Sequence, residues 1–254
     1  MSNLNNALKQ ITITDILIVT LILTGFLLLL RAFNHQISNN WLYFGIIIYF
    51  AYRLRFFKKD FKTDIKNIFQ KISPKSLITI VLVNIFFSYG MIYLSVYIQN
   101  FIPNIESLLP HSLSGITIKS ISKTGIISTV IISPISEELL FRGVFLNRLK
   151  SVVPTTFAII ITSILFGLLH DYSNIISAII FAICMCIIYI KTQNIFTCIL
   201  AHALNNLLAQ IIFFIDTGNL IFTNNILIVL ISILAVISFY LIIKSIHAEW
   251  KYIK

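Results

Sequence analysis

The chain has 254 residues, of which 58% are hydrophobic and only 11% are charged, and its formal net charge is +10. Soluble domains carry about 25% charged residues, so this composition excludes an ordinary soluble globular protein. Lysine and arginine gather in short segments between apolar runs, which is typical of membrane topology and contact with anionic lipid rather than of nucleic-acid binding. We therefore expect an all-α, polytopic transmembrane helical bundle that forms a single integral membrane domain over residues 1–254, with lipid and no nucleic acid as a partner.

Membrane-spanning helices need about 20 mostly apolar residues, and eight runs of the chain meet this requirement. The fourth run is the least regular because its second half carries charges. A very short connection joins the fifth and sixth runs, so we expect them to form a tight hairpin. The eight predicted spans are 12–30, 39–56, 76–98, 122–147, 154–170, 174–191, 194–214 and 225–246.

The orientation of the chain follows from the basic residues between the spans. The segment 53–75 contains eight lysine or arginine residues, and the C-terminal tail is also basic. In the segments expected on the opposite side, the only lysine or arginine residues are Arg31 and Lys119. Because basic loops stay on the cytoplasmic side, we expect both termini in the cytoplasm. The segment 57–75 fits either a short amphipathic helix on the membrane surface or a solvated basic linker.

A few strongly polar side chains lie deep within the apolar runs. An ionisable group at the bilayer centre costs about 2.5–3.5 kcal/mol on insertion scales, so isolated charges there are rare. The ionisable groups fall on only three spans, the fourth, fifth and seventh. If these side chains were in contact, each would offset the free-energy cost of burying the others in the bilayer. These groups are Glu137, Glu138, Arg142, His170 and His202.

The fourth span carries two adjacent acids and one arginine. Glu138 and Arg142 are four residues apart and share a helix face, so we expect them to pair. Glu137 points about 100° away from that face, and no partner is expected for it on its own helix. Pro134 is expected to kink the helix and admit water. The alternative for Glu138 and Arg142 is an ion pair that only fixes packing.

The fifth and seventh spans each carry a histidine with a partner four residues away. Phe166 and His170 share one helix face, and His202 and Asn206 share another, with Asn205 on the neighbouring face. A histidine at a helix end is alternatively an interfacial residue. His202 and Asn206 are alternatively an interhelical polar clamp worth about 1 kcal/mol.

Three motifs follow one another along the chain. They are a Glu-Glu-x-x-x-Arg sequence at 137–142, a Phe-x-x-x-His sequence at 166–170 and a His-x-x-x-Asn sequence at 202–206. In this order, each within a span, they resemble the signature of the CPBP (CAAX protease and bacteriocin-processing; Abi) family of intramembrane proteases. That family includes the type II CAAX prenyl endopeptidases. The resemblance covers residues 120–210, which would carry the protease core motifs, and no motif of the family lies in the first three spans or the last.

The resemblance implies hydrolysis of a peptide bond within the membrane. Glu137, with His170, would hold and deprotonate a water molecule, and a carboxylate in a medium of low dielectric suits a general base. His202 and Asn206 would donate hydrogen bonds to the developing oxyanion. The resemblance implies supporting roles for Glu138, Arg142 and Phe166, with the Glu138–Arg142 pair positioning Glu137.

A metalloprotease mechanism competes with the metal-free, glutamate-type mechanism. Glu137, His170 and His202 with a water molecule resemble a catalytic zinc set, so a divalent metal such as Zn²⁺ is one reading. The chain has no His-Glu-x-x-His helix, and Asn206 suits an oxyanion donor better than a zinc ligand. We therefore favour the metal-free mechanism.

The substrate and the biological role follow only from the resemblance. We expect a hydrophobic peptide or a membrane-associated protein as substrate, in the plasma membrane of a bacterium, since isoleucine, asparagine and lysine usage points to an AT-rich bacterial genome. Bacterial relatives imply bacteriocin self-immunity or peptide processing. Two other classes remain open: a non-catalytic immunity or scaffold protein, and a transporter, since intramembrane Glu, His and Arg also mark ion pathways.

Overall fold

The computed structural model describes residues 3–33, 38, 40–102 and 123–251. Within these ranges all regular structure is helical and no strand is present, so the predicted all-α class is confirmed. Residues 103–122, which include most of the predicted loop 99–121, lie outside the described residues. The helices are α1 Asn3–Gln10, α2 Ile13–Phe33, α3 Asn40–Arg53, α4 Lys58–Lys66, α5 Pro74–Phe101, α6 over residues 123–149, α7 Thr155–Gly167, α8 Ile175–Thr192, α9 Ile195–Ile215, α10 Leu220–Thr223 and α11 Asn225–Trp250.

Among the described residues, five helical stretches are long and apolar enough to cross a membrane, judged by length and composition. They coincide with five of the predicted spans, and they make this a multi-pass membrane protein. The shorter helix α7 is also apolar. Helix α3, at the second predicted span, has 14 residues. The five stretches are Ile13–Phe33, Pro74–Gln99, Tyr172–Thr192, Ile195–Ile215 and Asn225–Trp250.

Helix α6 changes its winding several times without breaking. The residues at the junctions keep right-handed helical dihedral angles, for example Ile132 at φ −70° and ψ −50° and Glu138 at φ −65° and ψ −41°. Pro134 has no backbone N–H, so it interrupts the hydrogen bonds of the helix. The wider π turn lies directly before this interruption. The winding is α over Lys123–Ile127, π over Ser128–Ile132, α over Ser133–Glu138, π over Leu139–Leu146 and α over Asn147–Leu149.

The described residues divide into two compact units. Unit 1 draws its residues from Met1–Ile72, Ile121–Pro154 and Ile188–Ala203. Unit 2 draws its residues from Ser73–Ser120, Thr155–Ile187 and Leu204–Lys254.

In unit 1 the short helix α1 is docked against α6. Its apolar residues Leu4 and Leu8 are fully buried, and Leu8 lies against Gly143 of α6. The Arg148 side chain donates from Nε to the Ile11 carbonyl at 2.8 Å and from Nη2 to the Gln10 carbonyl at 2.6 Å. The last carbonyls of a helix lack partners within it, so this arginine satisfies the end of α1.

A buried polar cluster fixes the same region of unit 1. The Tyr189 hydroxyl donates to Asn5 Oδ1, and Asn147 Nδ2 donates to the Tyr189 hydroxyl at 2.9 Å. Asn5 also donates to the Gln193 carbonyl at 3.2 Å. These bonds hold α1, the end of α6 and the end of α8 together, and they fix the position of the helix that carries the two acids.

In unit 2 small residues allow close helix contacts. A Cβ placed on Gly90 of α5 would lie 2.4 Å from Ala235 Cβ of α11, and Phe87 and Phe239 stack beside it with centroids 5.5 Å apart. A Cβ on Gly167 would lie 2.9 Å from the Ile175 carbonyl oxygen. Gly167 therefore lets the end of α7 approach the start of α8.

Candidate active site

Unit 1 gathers four ionisable side chains in its interior. Glu137, Glu138 and Arg142 come from α6, and His202 comes from α9. Glu138 and Arg142 are 0% exposed and His202 is 4% exposed, so three of the four are removed from solvent and lipid alike. The Glu137 side chain keeps an exposed fraction of 13%. Burial of this kind is expensive unless the groups pair, and they do.

Glu138 and Arg142 form the ion pair that their spacing predicts. Arg142 Nη1 donates to Glu138 Oε1 at 3.0 Å. The pair bridges the junction between the α segment and the following π segment of α6. The attraction between the buried guanidinium and the buried carboxylate offsets most of the free energy that is lost when each group is removed from water.

His202 extends this pair by a third member. His202 Nδ1 lies 2.8 Å from Glu138 Oε1, and His202 Nε2 lies 3.8 Å from Glu137 Oε2. An ionised carboxylate can only accept, so Glu138 holds the imidazole with a proton on Nδ1. The other ring nitrogen is thereby directed at Glu137. The observed contacts make the Glu138–Arg142 pair an orienting group for His202, whereas we expected it to position Glu137.

Glu137 has a partner on its own helix, contrary to our expectation. The Ser133 hydroxyl, four residues earlier, donates to Glu137 Oε1. The expectation was wrong because a serine at the i−4 position is short enough to reach a carboxylate one turn later. Tyr43 of α3 lies close to Ser133 and to the Glu137 carboxylate. The four-residue spacing could have identified Ser133, whereas no local signal in the sequence points to Tyr43.

Phe166 and His170 are described within unit 2. Phe166 is 1% exposed, and the two rings lie 4.7 Å apart. His170 follows the end of α7, and its Nδ1 lies 2.9 Å from the Phe166 carbonyl oxygen. A proton on Nδ1 donated to that carbonyl leaves Nε2 as an acceptor. Burial raises the pKa of the adjacent Asp171 carboxyl above its ordinary value, and His170 acts in the opposite direction.

Two consecutive asparagines follow His202 on α9 and also belong to unit 2. Asn206 lies one turn after His202 along the helix. The Oδ1 atom of Asn205 is buried and has no hydrogen-bond partner among the described residues. Of the residues proposed from sequence, unit 1 thus brings together Glu137, Glu138, Arg142 and His202.

The part of the chain that holds these residues is similar to a known protein family. Residues 120–208 match the family model described as "Type II CAAX prenyl endopeptidase Rce1-like". The resemblance to the CAAX protease family is confirmed. The Rce1-like segment contains all three motifs, and the match supports a CAAX-type intramembrane protease at the level of the family. No curated protein and no solved structure matches the chain.

A bound metal ion would need several suitable ligands close together. Within the ranges that the structure describes, no group of three or more His, Cys, Asp or Glu side chains is placed to hold a metal ion. In unit 1 two potential donor atoms, Glu137 Oε2 and His202 Nε2, lie 3.8 Å apart. Catalytic zinc sites use three protein ligands, so this pair alone does not make one.

Proposed function

We propose that the protein is an intramembrane endopeptidase that hydrolyses a peptide bond of a hydrophobic peptide or membrane-associated protein. The observation that carries this proposal is the arrangement of Glu137 Oε2 and His202 Nε2, which face each other at 3.8 Å beside a buried ion pair. The match to the CAAX protease family supports the same reaction.

Glu137 is the general base of the proposed reaction. The 3.8 Å separation from His202 is too long for a direct hydrogen bond and leaves both polar atoms able to contact one water molecule. Glu137 Oε2 takes a proton from this water while the water oxygen bonds to the carbonyl carbon of the substrate. The same proton then passes to the leaving nitrogen as the C–N bond breaks. The products are a carboxylic acid and an amine.

His202 stabilises the tetrahedral intermediate in this scheme. Its Nδ1 proton is held by Glu138, so its Nε2 atom donates to the oxyanion only when the ring carries a second proton. Glu138 orients the ring so that Nε2 points towards Glu137, where the proposed water lies.

His170 and Asn206 complete the proposed set of catalytic residues. Both lie within residues 120–208, which match the Rce1-like family model. In this proposal His170 assists Glu137 in activating the water, and Asn206 is the second oxyanion donor. The proposed mechanism is glutamate-type, and none of its steps uses a metal ion.

The proposal includes the topology and the role suggested by the sequence. The chain crosses the plasma membrane of a bacterium eight times with both termini in the cytoplasm, as the basic segment 53–75 supports. Its reaction acts in peptide processing or in self-immunity against a bacteriocin.

The proposal is tested by measuring the lengths of the peptides present in the cell membrane and in the culture medium. Cells that express the intact chain are compared by mass spectrometry with cells that express Glu137→Gln, and Glu249→Gln on α11 is the matched control. We expect at least one peptide to be shortened with the wild-type chain and with the control but not with Glu137→Gln. Identical peptide lengths in all three samples would refute the protease proposal.

A non-catalytic immunity or scaffold protein is the second candidate. The complete burial of Glu138 and Arg142 favours it, because such a pair also specifies packing. In that case Glu137→Gln and His170→Ala leave the biological effect of the protein intact.

A further inference from the structure

We propose that Ser133 and Tyr43 are positioning residues that hold the Glu137 carboxylate in its reactive orientation. This inference rests on the proposed function, since it assigns the residues that prepare the general base. Neither residue belongs to the three motifs, and Tyr43 lies outside the Rce1-like segment.

The bond between Ser133 and Glu137 orients the carboxylate. The Ser133 hydroxyl donates to Oε1 of Glu137, while Oε2 is the oxygen that faces His202. The two carboxylate oxygens thus have separate tasks, one held by the helix and one directed at the imidazole. A hydroxyl that donates to an ionised carboxylate makes a charge-assisted bond, which is stronger than a bond between neutral groups.

Tyr43 on α3 is the second positioning residue. Helix α3 packs against the Ser133–Glu138 segment of α6, and Tyr43 lies close to Ser133. A serine hydroxyl has one hydrogen, and that hydrogen is already given to Glu137. In the proposed arrangement the Tyr43 hydroxyl therefore donates to Ser133 Oγ. The result is a chain from phenol to serine to carboxylate, in which each bond polarises the next.

Both hydroxyl groups restrict the rotamers of Glu137, and this restriction matters for the reaction. The Glu137 side chain has several rotamers, and only those that keep Oε2 near His202 allow both groups to contact one water molecule. A displacement of about 1 Å at a reacting group can cost about 100-fold in rate. The hydroxyl chain from α3 removes that freedom without touching the substrate.

The experiment uses the intact protein in cells and the peptide whose shortening distinguishes the wild type from Glu137→Gln. The ratio of product to precursor is measured for Ser133→Ala, Ser133→Thr and Tyr43→Phe. We expect Ser133→Ala to lower the rate about tenfold, the loss of one hydrogen bond to a charged group. Ser133→Thr keeps the hydroxyl and restores the rate. Tyr43→Phe lowers the rate about threefold alone and has no further effect in the Ser133→Ala background.

Two matched variants control for general damage to the helices. Tyr49 is also on α3, and its hydroxyl is buried without a hydrogen-bond partner in the part of the chain that the structure describes. Tyr49→Phe and Ser128→Ala on α6 should therefore keep the wild-type ratio. In proteoliposomes with the same peptide, the loss in Ser133→Ala should lie in kcat with KM unchanged, because the substrate does not contact Ser133.

The outcomes separate this inference from the proposed function. If Glu137→Gln abolishes cleavage while Ser133→Ala and Tyr43→Phe both retain the wild-type ratio, the positioning role is overturned and the protease proposal stands. Failure of Ser133→Thr to restore the rate also counts against the positioning role. If no peptide depends on Glu137, the proposed function fails and this inference fails with it.

Discussion

Glu138 Oε1 lies 2.8 Å from His202 Nδ1, although the two residues are 64 positions apart in the chain. The same oxygen accepts from Arg142 Nη1 at 3.0 Å. One carboxylate oxygen therefore serves both a guanidinium and an imidazole, and it links the first motif of the Rce1-like segment to the last.

The first prediction concerns His202. His202→Ala should lower the cleavage rate about 10² to 10³-fold, the usual loss for one oxyanion donor. The measurement is the product-to-precursor ratio of the peptide that depends on Glu137. His247 is exposed on α11, so His247→Ala is the matched control and should keep the full rate. Equal rates for the two variants would remove His202 from the mechanism.

The second prediction concerns the stability of the buried pair. Arg142→Met leaves the Glu138 carboxylate buried without its guanidinium, so the free energy of unfolding should fall by about 3–5 kcal/mol. The double variant Glu138→Gln with Arg142→Met removes both charges and should be more stable than Arg142→Met alone. Thermal unfolding of the purified proteins in detergent gives these values, and Glu138→Gln alone is measured beside them. A double variant that shows the sum of the two single losses would contradict a coupled pair.

The third prediction uses two glycines in different surroundings. An added Cβ at Gly167 would meet the Ile175 carbonyl oxygen at 2.9 Å, whereas one at Gly25 would meet nothing within 4 Å. Gly167→Ala should therefore lower the free energy of unfolding by about 1–3 kcal/mol through overpacking. Gly25→Ala should leave it unchanged or raise it by up to about 1 kcal/mol, since alanine favours the helix.

Gly167→Ala should also lower activity, because His170 follows Gly167 by three residues at the end of α7. Unfolding midpoints and cleavage rates of the two glycine variants test both effects. A Gly167→Ala protein as stable and as active as Gly25→Ala would show that α7 and α8 are further apart than described.

The fourth prediction separates the two asparagines on α9. Asn206→Ala should lower kcat by about 10²-fold if its amide is an oxyanion donor. Asn205→Ala should have a much smaller effect on kcat, because Asn205 Oδ1 accepts no hydrogen bond in the described ranges. The test is kcat of both variants in proteoliposomes with the same peptide. The reverse order of effects would assign the role to Asn205.

The local parts of this architecture could be predicted from the sequence. The Glu138–Arg142 pair follows from a spacing of four residues on a helix, and the small side chain at Gly167 predicts a close helix contact. The all-α class follows from composition, because a long apolar run with few charges satisfies its backbone within a helix. The resemblance to the CAAX protease family was predictable because the order of three short motifs carries more information than any one of them.

The remaining features depend on contacts between distant parts of the chain. No local pattern shows that Glu138 meets His202 or that Tyr43 reaches Ser133, since helix packing decides both contacts. The span count is a related case: α3 has 14 residues and α7 has 13, so length and composition alone do not qualify them as spans. The count of eight therefore stays a prediction.

The changes of winding in α6 have a genetic consequence. A π turn closes its hydrogen bond over one more residue than an α turn does, so the stretch Leu139–Leu146 can lose a residue by tightening. An in-frame deletion of one codon after Arg142 is therefore absorbed locally. The same deletion between Ser133 and Glu138, where the winding is already α, rotates both acids about the helix axis and away from their partners. Insertions and deletions among relatives should consequently cluster on the arginine side of the acids.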